Sequence, residues 1–213
     1  METSELKDDA ATWESLMLLH SAALKEMNTK LEILNDEFIH MHHYNPIEHI
    51  KSRIKTPESI VKKLKKDGHE ATIENMSTYI NDIAGVRIIC SFTSDIPVLA
   101  KMIAGQSDIE VISVKDYFKT PKENGYKSYH MVVSVPVFLS DRQTRTKVEI
   151  QIRTIAMDFW ASLEHKLYYK FEGTAPSYIY DELKECAQMV SELDDRMLAL
   201  NNAIKEITQK NEK

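Results

Sequence analysis

The stretch Lys147 to Arg153, KVEIQIR, alternates polar and apolar residues without a break. Successive side chains of a strand point to opposite faces, so Glu149, Gln151 and Arg153 share one face while Val148, Ile150 and Ile152 enter a core. Two other segments carry complementary chemistry. DIAGVRII, Asp82 to Ile89, sets a second carboxylate close to Arg87, and ENGYKSYH, Glu123 to His130, joins a glycine turn to aromatic and basic side chains. Carboxylates, cations and a stacking ring are the parts that a metal-assisted reaction on a nucleotide requires. If the strands bearing Asp82 and Glu149 lie close in one sheet, the pair could share a Mg²⁺, a hard cation that takes oxygen ligands. Spacing alone does not bring them together, and exposed acids on strands are mostly solvated.

The elements that must position these residues follow from periodicity. Trp13, Met17, Leu24, Met27, Leu31, Leu34 and Phe38 recur at helical spacing and predict a long amphipathic helix, broken before Pro46. PESIVKKLKK predicts a second helix with Pro57 in its first turn and Gly68 past its end, and a third is expected from Ile73 to Ile80. The period then changes. Strands are expected at Val86 to Phe92, Ile109 to Val114, Tyr129 to Val135 and Lys147 to Arg153, with a helix from Ile96 to Ile103. Helix resumes from Ala156, and the seam from Ile179 through Leu193 and Leu200 to Ile207 steps by threes and fours. Strands mixed with helices point to an α/β or α+β domain on one sheet. The terminal helices suit either oligomer contacts or packing on their own core.

Composition narrows the partners. A chain of 213 residues can bury one sizeable core, and a formal charge of −6 argues against a general nucleic-acid binder. Basic residues are nevertheless concentrated at Lys51, Arg53, Lys55, Lys62, Lys63, Lys65 and Lys66, which suits a small polyanion, the alternative being a solvated helix face. Two cysteines, Cys90 and Cys186, provide neither a disulfide framework nor a zinc spacing, and a reducing cytoplasm is expected. No apolar run approaches the roughly 20 residues that span a bilayer, and no leader pattern opens the chain, so membrane insertion and secretion are not expected. His40, His42, His43 and His49 lack a closed Cys/His pattern and read as surface or interface residues.

The ordered set SRIKTPESIVKKL, DIAGVRIICSF, KDYFKTPKENGYKSYHMVV and EIQIRTIAMDFWASLEHKLYYK closely resembles the synthetase domain of the RelA/SpoT homologues. The length and flanking helices are similar to the small alarmone synthetases of the RelP and RelQ type, and HYNPIEH and RTIAMDFWASLEHK resemble the RelP-like branch. The resemblance implies an α+β fold: a mixed β-sheet core of nucleotidyltransferase-like type at 46–170, with helical segments at 1–45 and 171–213, in one compact domain. It implies transfer of the β,γ-pyrophosphoryl group of ATP to the 3′-hydroxyl of GDP or GTP, without product hydrolysis, by a cytoplasmic homotetramer that does not engage membrane or DNA.

It also implies site residues. Asp82 and Glu149 match the Mg²⁺-binding acidic pair, with Glu149 also the base for the 3′-hydroxyl. Arg53 and Arg87 match the arginines that stack on the donor adenine, and Lys55, Ser59 and Lys63 match the donor phosphate site. Lys66 stands where some relatives have arginine, and Gln151 is expected to hold substrate or support the metal. Tyr126 matches the tyrosine that stacks on the acceptor guanine, with Lys122, Lys127 and His130 placed for acceptor phosphates. Asp158 occupies a position where RelQ-like members often carry asparagine, Glu164 matches an acidic residue that reads guanine donors, and His165 reads as structural.

Two other readings fit the same residues. One is a polymerase-like nucleotidyltransferase, which would release pyrophosphate rather than AMP. The other is a catalytically silent RNA-binding regulator that uses the Lys51 to Lys66 stripe. The chain has neither a G-x-x-x-x-G-K-[ST] loop nor a G-x-G-x-x-G fingerprint, so phosphates must be held by side chains.

Overall fold

The computed structural model describes residues 2–41, 44–170 and 176–211, with side chains placed within 12–41, 44–167 and 176–211. The elements run α1 (Glu2–Met41), β1 (Ile47–Ile54), α2 (Pro57–Lys66), α3 (Ile73–Tyr79), β2 (Ala84–Cys90), α4 (Asp95–Ala104), β3 (Glu110–Asp116), β4 (Tyr129–Phe138), β5 (Gln143–Thr154), α5 (Ile155–Lys170) and α6 (Ser177–Asn211). The helices predicted from periodicity are present, and the four predicted strands form β2 to β5. His42 and His43 lie outside the described residues, while His40 and His49 are exposed.

The sheet has the order β1-β2-β5-β4-β3. β2 and β5 pair in parallel and the other neighbours antiparallel, so the sheet is mixed. One face is packed: Val86, Ile88, Val133, Val148, Ile150 and Ile152 meet α1 through Ala23, Met27 and Leu31, and α4 through Ile96, Leu99 and Ile103. A second cluster joins Leu16 of α1 to Ile60, Leu64, Met76 and Ile80 and secures α2 and α3 beside the sheet. Because α1 and α4 occupy one face, polar side chains of the central strands collect on the other.

The edge strand β1 is a correction to the sequence reading, which expected only an interruption there. Its buried or half-buried residues are Ile47, Ile50 and Ile54, spaced by three and four, which resembles a helical pattern. The cause is an irregularity in the β1–β2 register between Ile47 and His49, which places Ile47 on the same side as Ile50 and Ile54. Lys51 and Arg53 therefore alternate onto the open face as strand residues, rather than along a helix.

At the other flank, Trp160 and Ala161 of α5 pack on Ala187 of α6, and the Trp160 indole donates to the Leu183 carbonyl at 2.9 Å. The Thr154 hydroxyl donates to Asp194 on α6 at 2.6 Å and accepts from the Met157 amide at 3.1 Å, tying the end of β5 and the start of α5 to α6. Burial pushes the Asp194 carboxyl above its ordinary range against the bond from Thr154. An acid whose folded value is raised stabilises the fold below its unfolded value and loses that contribution as pH rises through the folded one. Asp194→Asn keeps an acceptor for Thr154 and removes the buried charge, so its Tm should exceed the wild type by a few degrees at pH 7 and converge with it near pH 4. Melts at the two pH values check this; a constant offset would contradict it.

Candidate active site

Cross-strand pairing assembles the open face. Lys51 on β1 stands opposite Arg87 on β2, Arg87 opposite Gln151 on β5, and Gln151 opposite His130 on β4. The next row runs Arg53, Gly85, Glu149. Directly paired residues point to the same face, so the rows form one polar floor. Gly85 leaves an opening between Arg53 and Glu149: a Cβ there would meet nothing closer than the Arg53 carbonyl at 3.9 Å. A cavity of about 270 Å³ results, lined by Lys51, Arg53, Asp82, Arg87, Glu149 and Gln151 among others.

Asp82 precedes β2 and accepts from Lys55 at 2.7 Å and Lys63 at 2.8 Å. Burial would raise its carboxyl, but these hydrogen bonds and charges outweigh burial and hold it below the ordinary range. Thr56 caps α2 and accepts from the Ser59 amide, and its hydroxyl donates to the Ser59 hydroxyl at 3.0 Å, so Ser59 sits in the first turn one helical step before Lys63. Lys66 is exposed in the last turn of α2 and does not line the cavity. The Lys51 to Lys66 run is therefore not one continuous stripe. It is divided between β1 and α2, and Lys55 and Lys63 are turned in to Asp82.

Glu149 accepts from the Gln151 amide at 2.9 Å and lies 3.5 Å from His130 Nδ1. Burial raises its carboxyl and the nearby Asp82 charge does too, but His130 and Gln151 prevail and hold it below its ordinary value. It therefore stays ionised at neutral pH. Two ionised carboxylates beside one cavity fit a hard divalent cation, which commonly takes one or two protein carboxylates and completes its shell with phosphate oxygens and water.

The second half of the site is the loop before β4. Asn124 closes a tight turn by accepting from the Tyr126 amide at 3.2 Å, and its amide donates to Glu164 on α5 at 3.2 Å. Tyr126 follows, its hydroxyl 2.8 Å from His130 Nε2 and receiving Arg153 Nη2 at 2.6 Å. Tyr117 meets Tyr126 and His130 edge-on, and Lys122 lies 4.9 Å from the centres of both tyrosine rings. Lys127 faces away from the cleft: its ammonium donates to Ser191 on α6 at 2.5 Å. In this arrangement it ties the loop to α6.

Gly125 has φ +87°, and a Cβ there would lie 2.5 Å from the Ala187 Cβ. Both the backbone and the contact with α6 demand glycine. Gly125→Ala should cost at least about 1 kcal/mol and push the loop off α6. The expected readout is weaker ligand binding at the aromatic loop with binding at the basic cavity unchanged; equal effects on both would locate the damage elsewhere.

Asp158 joins the halves. It accepts from Arg87 at 3.0 Å and Arg153 at 3.3 Å, with Lys51 at 3.5 Å. Arg87 Nε is buried and makes no hydrogen bond among the described residues. From sequence, Lys51 stands only as one of the basic cluster, with no sign that it meets Asp158, and Tyr117 is not singled out because no periodicity marks it. Arg153 was legible on the face of β5, although its contacts were not.

A mixed sheet that gathers two carboxylates, a basic cavity and a separate aromatic loop on its open face has the layout of a phosphoryl-group transferase with two substrate positions. The model of the RelA_SpoT family, a region found in RelA / SpoT proteins, matches residues 52–174. GTP pyrophosphokinase YwaC of Bacillus subtilis is 48% identical over 200 residues, covering 94% of this chain and 95% of that protein. The crystal structure of small alarmone synthetase 2 from B. subtilis superposes with TM-score 0.82 at 46% identity, covering 90% of this chain and 98% of that one. Small alarmone synthetase 1 from B. subtilis, bound to its product pppGpp, superposes with TM-score 0.85 at 33% identity, covering 91% and 98%. The chain belongs to the RelA/SpoT family, and its fold is that of the small alarmone synthetases.

Proposed function

We propose that this protein is a GTP pyrophosphokinase that transfers the β,γ-pyrophosphoryl group of ATP to the 3′-hydroxyl of GDP or GTP, releasing AMP and forming (p)ppGpp. The observation that carries this reading is the placement of Asp82 and Glu149 beside one basic cavity, with Tyr126 linked to Glu149 through His130. The named activity of the relatives and the product bound in one of them support it.

Arg53 and Arg87 provide planar cations for the donor adenine. Lys55, Lys63 and Ser59 receive donor phosphates. Asp82 and Glu149 would hold Mg²⁺, which neutralises phosphate charge when bound. Tyr126 stacks on the acceptor guanine, with Glu164 and Asp158 near its polar edge and Lys122 and His130 toward its phosphates. The 3′-oxygen bonds to the β-phosphorus as the bond from that phosphorus to the α,β-bridging oxygen breaks. AMP departs with that oxygen, and Glu149 receives or orients the hydroxyl proton. Positioning and electrostatics supply most of the acceleration.

No helix among the described residues is long and apolar enough to cross a membrane, which accords with a cytoplasmic enzyme. Self-association is supported by the apolar stripe of Met189, Leu193, Met197, Leu200 and Ile204 exposed on α6, and the family resemblance suggests a homotetramer. The decisive experiment incubates the purified protein with Mg²⁺, γ-labelled ATP and GDP or GTP, then separates nucleotides by anion exchange. AMP should appear in step with labelled tetra- or pentaphosphate. Free pyrophosphate with a nucleotidyl product would instead indicate a nucleotidyltransferase, and intact ATP with both acceptors would remove the catalytic reading.

A further inference from the structure

We propose that Arg153 is a positioning residue that fixes the acceptor-stacking ring of Tyr126 relative to the Gln151–Glu149 pair. The inference rests on the pyrophosphokinase reading and deepens it.

Arg153 is only 4% exposed and is the next-to-last residue of β5, on the open face. Its guanidinium addresses four groups in different directions. Nε donates to the Ser128 hydroxyl at 3.3 Å, Nη1 to Asp158 at 3.3 Å, and Nη2 to both the Tyr126 hydroxyl at 2.6 Å and the Gln151 carbonyl oxygen at 2.9 Å. Burying a cation is costly unless its donors are satisfied, and this set of acceptors meets that cost. The guanidinium carbon also lies 5.1 Å from the centre of the Tyr126 ring.

Two consequences follow from this geometry. Gly125 holds the backbone of the loop against Ala187, and Arg153 holds the far end of the Tyr126 side chain, so the ring is restrained at both ends. Gln151 has one carbonyl oxygen and one amino group. Because the oxygen accepts from Arg153, the amino group must be the atom that meets Glu149, as it does at 2.9 Å. One guanidinium thus sets both the plane on which the acceptor base stacks and the hydrogen bond that orients the carboxylate toward its 3′-hydroxyl. A lysine has a single nitrogen and cannot span these directions. The donor side does not depend on Arg153 in the same way, since Asp158 keeps Arg87 and Lys51 without it.

The test is a double-mutant cycle of Arg153→Lys and Tyr126→Phe, with GDP binding titrated directly and turnover measured separately. Arg153→Lys should weaken GDP binding and raise its KM by about tenfold or more, with the KM for ATP within about twofold, the scale expected for a hydrogen bond to a charged group. Tyr126→Phe keeps the stacking face and removes the hydroxyl, and should weaken GDP binding several-fold. The double variant should fall short of the product of the single effects by about fivefold, because both changes break one contact. Full multiplicativity, or equal effects on ATP and GDP, would overturn the inference. If Arg153→Lys does not fold, Tyr126→Phe decides alone: unchanged GDP affinity overturns it. A wild type that binds GDP but makes no AMP removes the reaction and leaves the binding cycle to judge Arg153. A wild type that does not bind GDP removes both.

Discussion

Glu149→Gln should lower AMP formation by about 10³-fold while leaving the fold intact, the size expected for losing a general base together with a charge on the reacting groups. Glutamine has the same shape, and its carbonyl oxygen can still accept from the Gln151 amide that now bonds Glu149 at 2.9 Å. The loss of the His130 interaction at 3.5 Å is offset by removal of a buried charge and of its repulsion with Asp82. Tm should therefore stay within a few degrees of the wild type. A purified variant with activity within tenfold of the wild type would remove Glu149 from the chemistry. A collapsed Tm would mean that its role is structural.

Asp82→Ala should behave differently, and the contrast is informative. Turnover should again fall by about 10³-fold or more, since the variant loses one of the two carboxylates at the reacting centre. Here stability should fall as well. Lys55 and Lys63 both reach the same carboxylate, and Lys55 is only 14% exposed, so removing Asp82 leaves two ammonium groups facing each other. Breaking a fully buried pair costs about 3–5 kcal/mol. Lys63 remains 39% exposed and is screened, so about 1–2 kcal/mol is the expected loss. That corresponds to a Tm lower by about 3–6 °C for a chain of this size. Added ATP should restore it, because donor phosphates would replace Asp82 as the partner of both lysines. In the absence of divalent metal, ATP should bind the variant at least as well as the wild type. Weaker metal-free binding would show that the lysines do not receive the phosphate chain. An unchanged Tm would show that the Lys55–Asp82–Lys63 cluster contributes nothing in the ligand-free protein.

These two carboxylates also mark what can be read locally and what cannot. Glu149 was legible because β5 alternates strictly, and side-chain direction in a strand depends only on whether positions are odd or even. Asp82 was legible as an acid near Arg87, but not as a neighbour of Glu149. That neighbourhood comes from the parallel pairing of Gly85 with Glu149, between strands separated by most of the core. β1 escaped altogether. Its bulge spaces Ile47, Ile50 and Ile54 like a helix face, and an edge strand has only one neighbour to pair with. Without β1, Lys51 could be counted only in the basic cluster and not as the first member of the row Lys51, Arg87, Gln151, His130.

Periodicity and residue type were enough to mark the helices with long apolar periods, the open face of β5, the residues available for chemistry and, through ordered motifs, the family. The strand order, the meeting of Asp82 with Lys55 and Lys63, the turn of Lys127 toward Ser191, and the convergence of Tyr126, Gln151 and Asp158 on Arg153 emerge only from the folded chain. The physical reason is range. Periodicity is set by bond geometry within a few residues, whereas register and ion pairing are set by which distant surfaces bury one another.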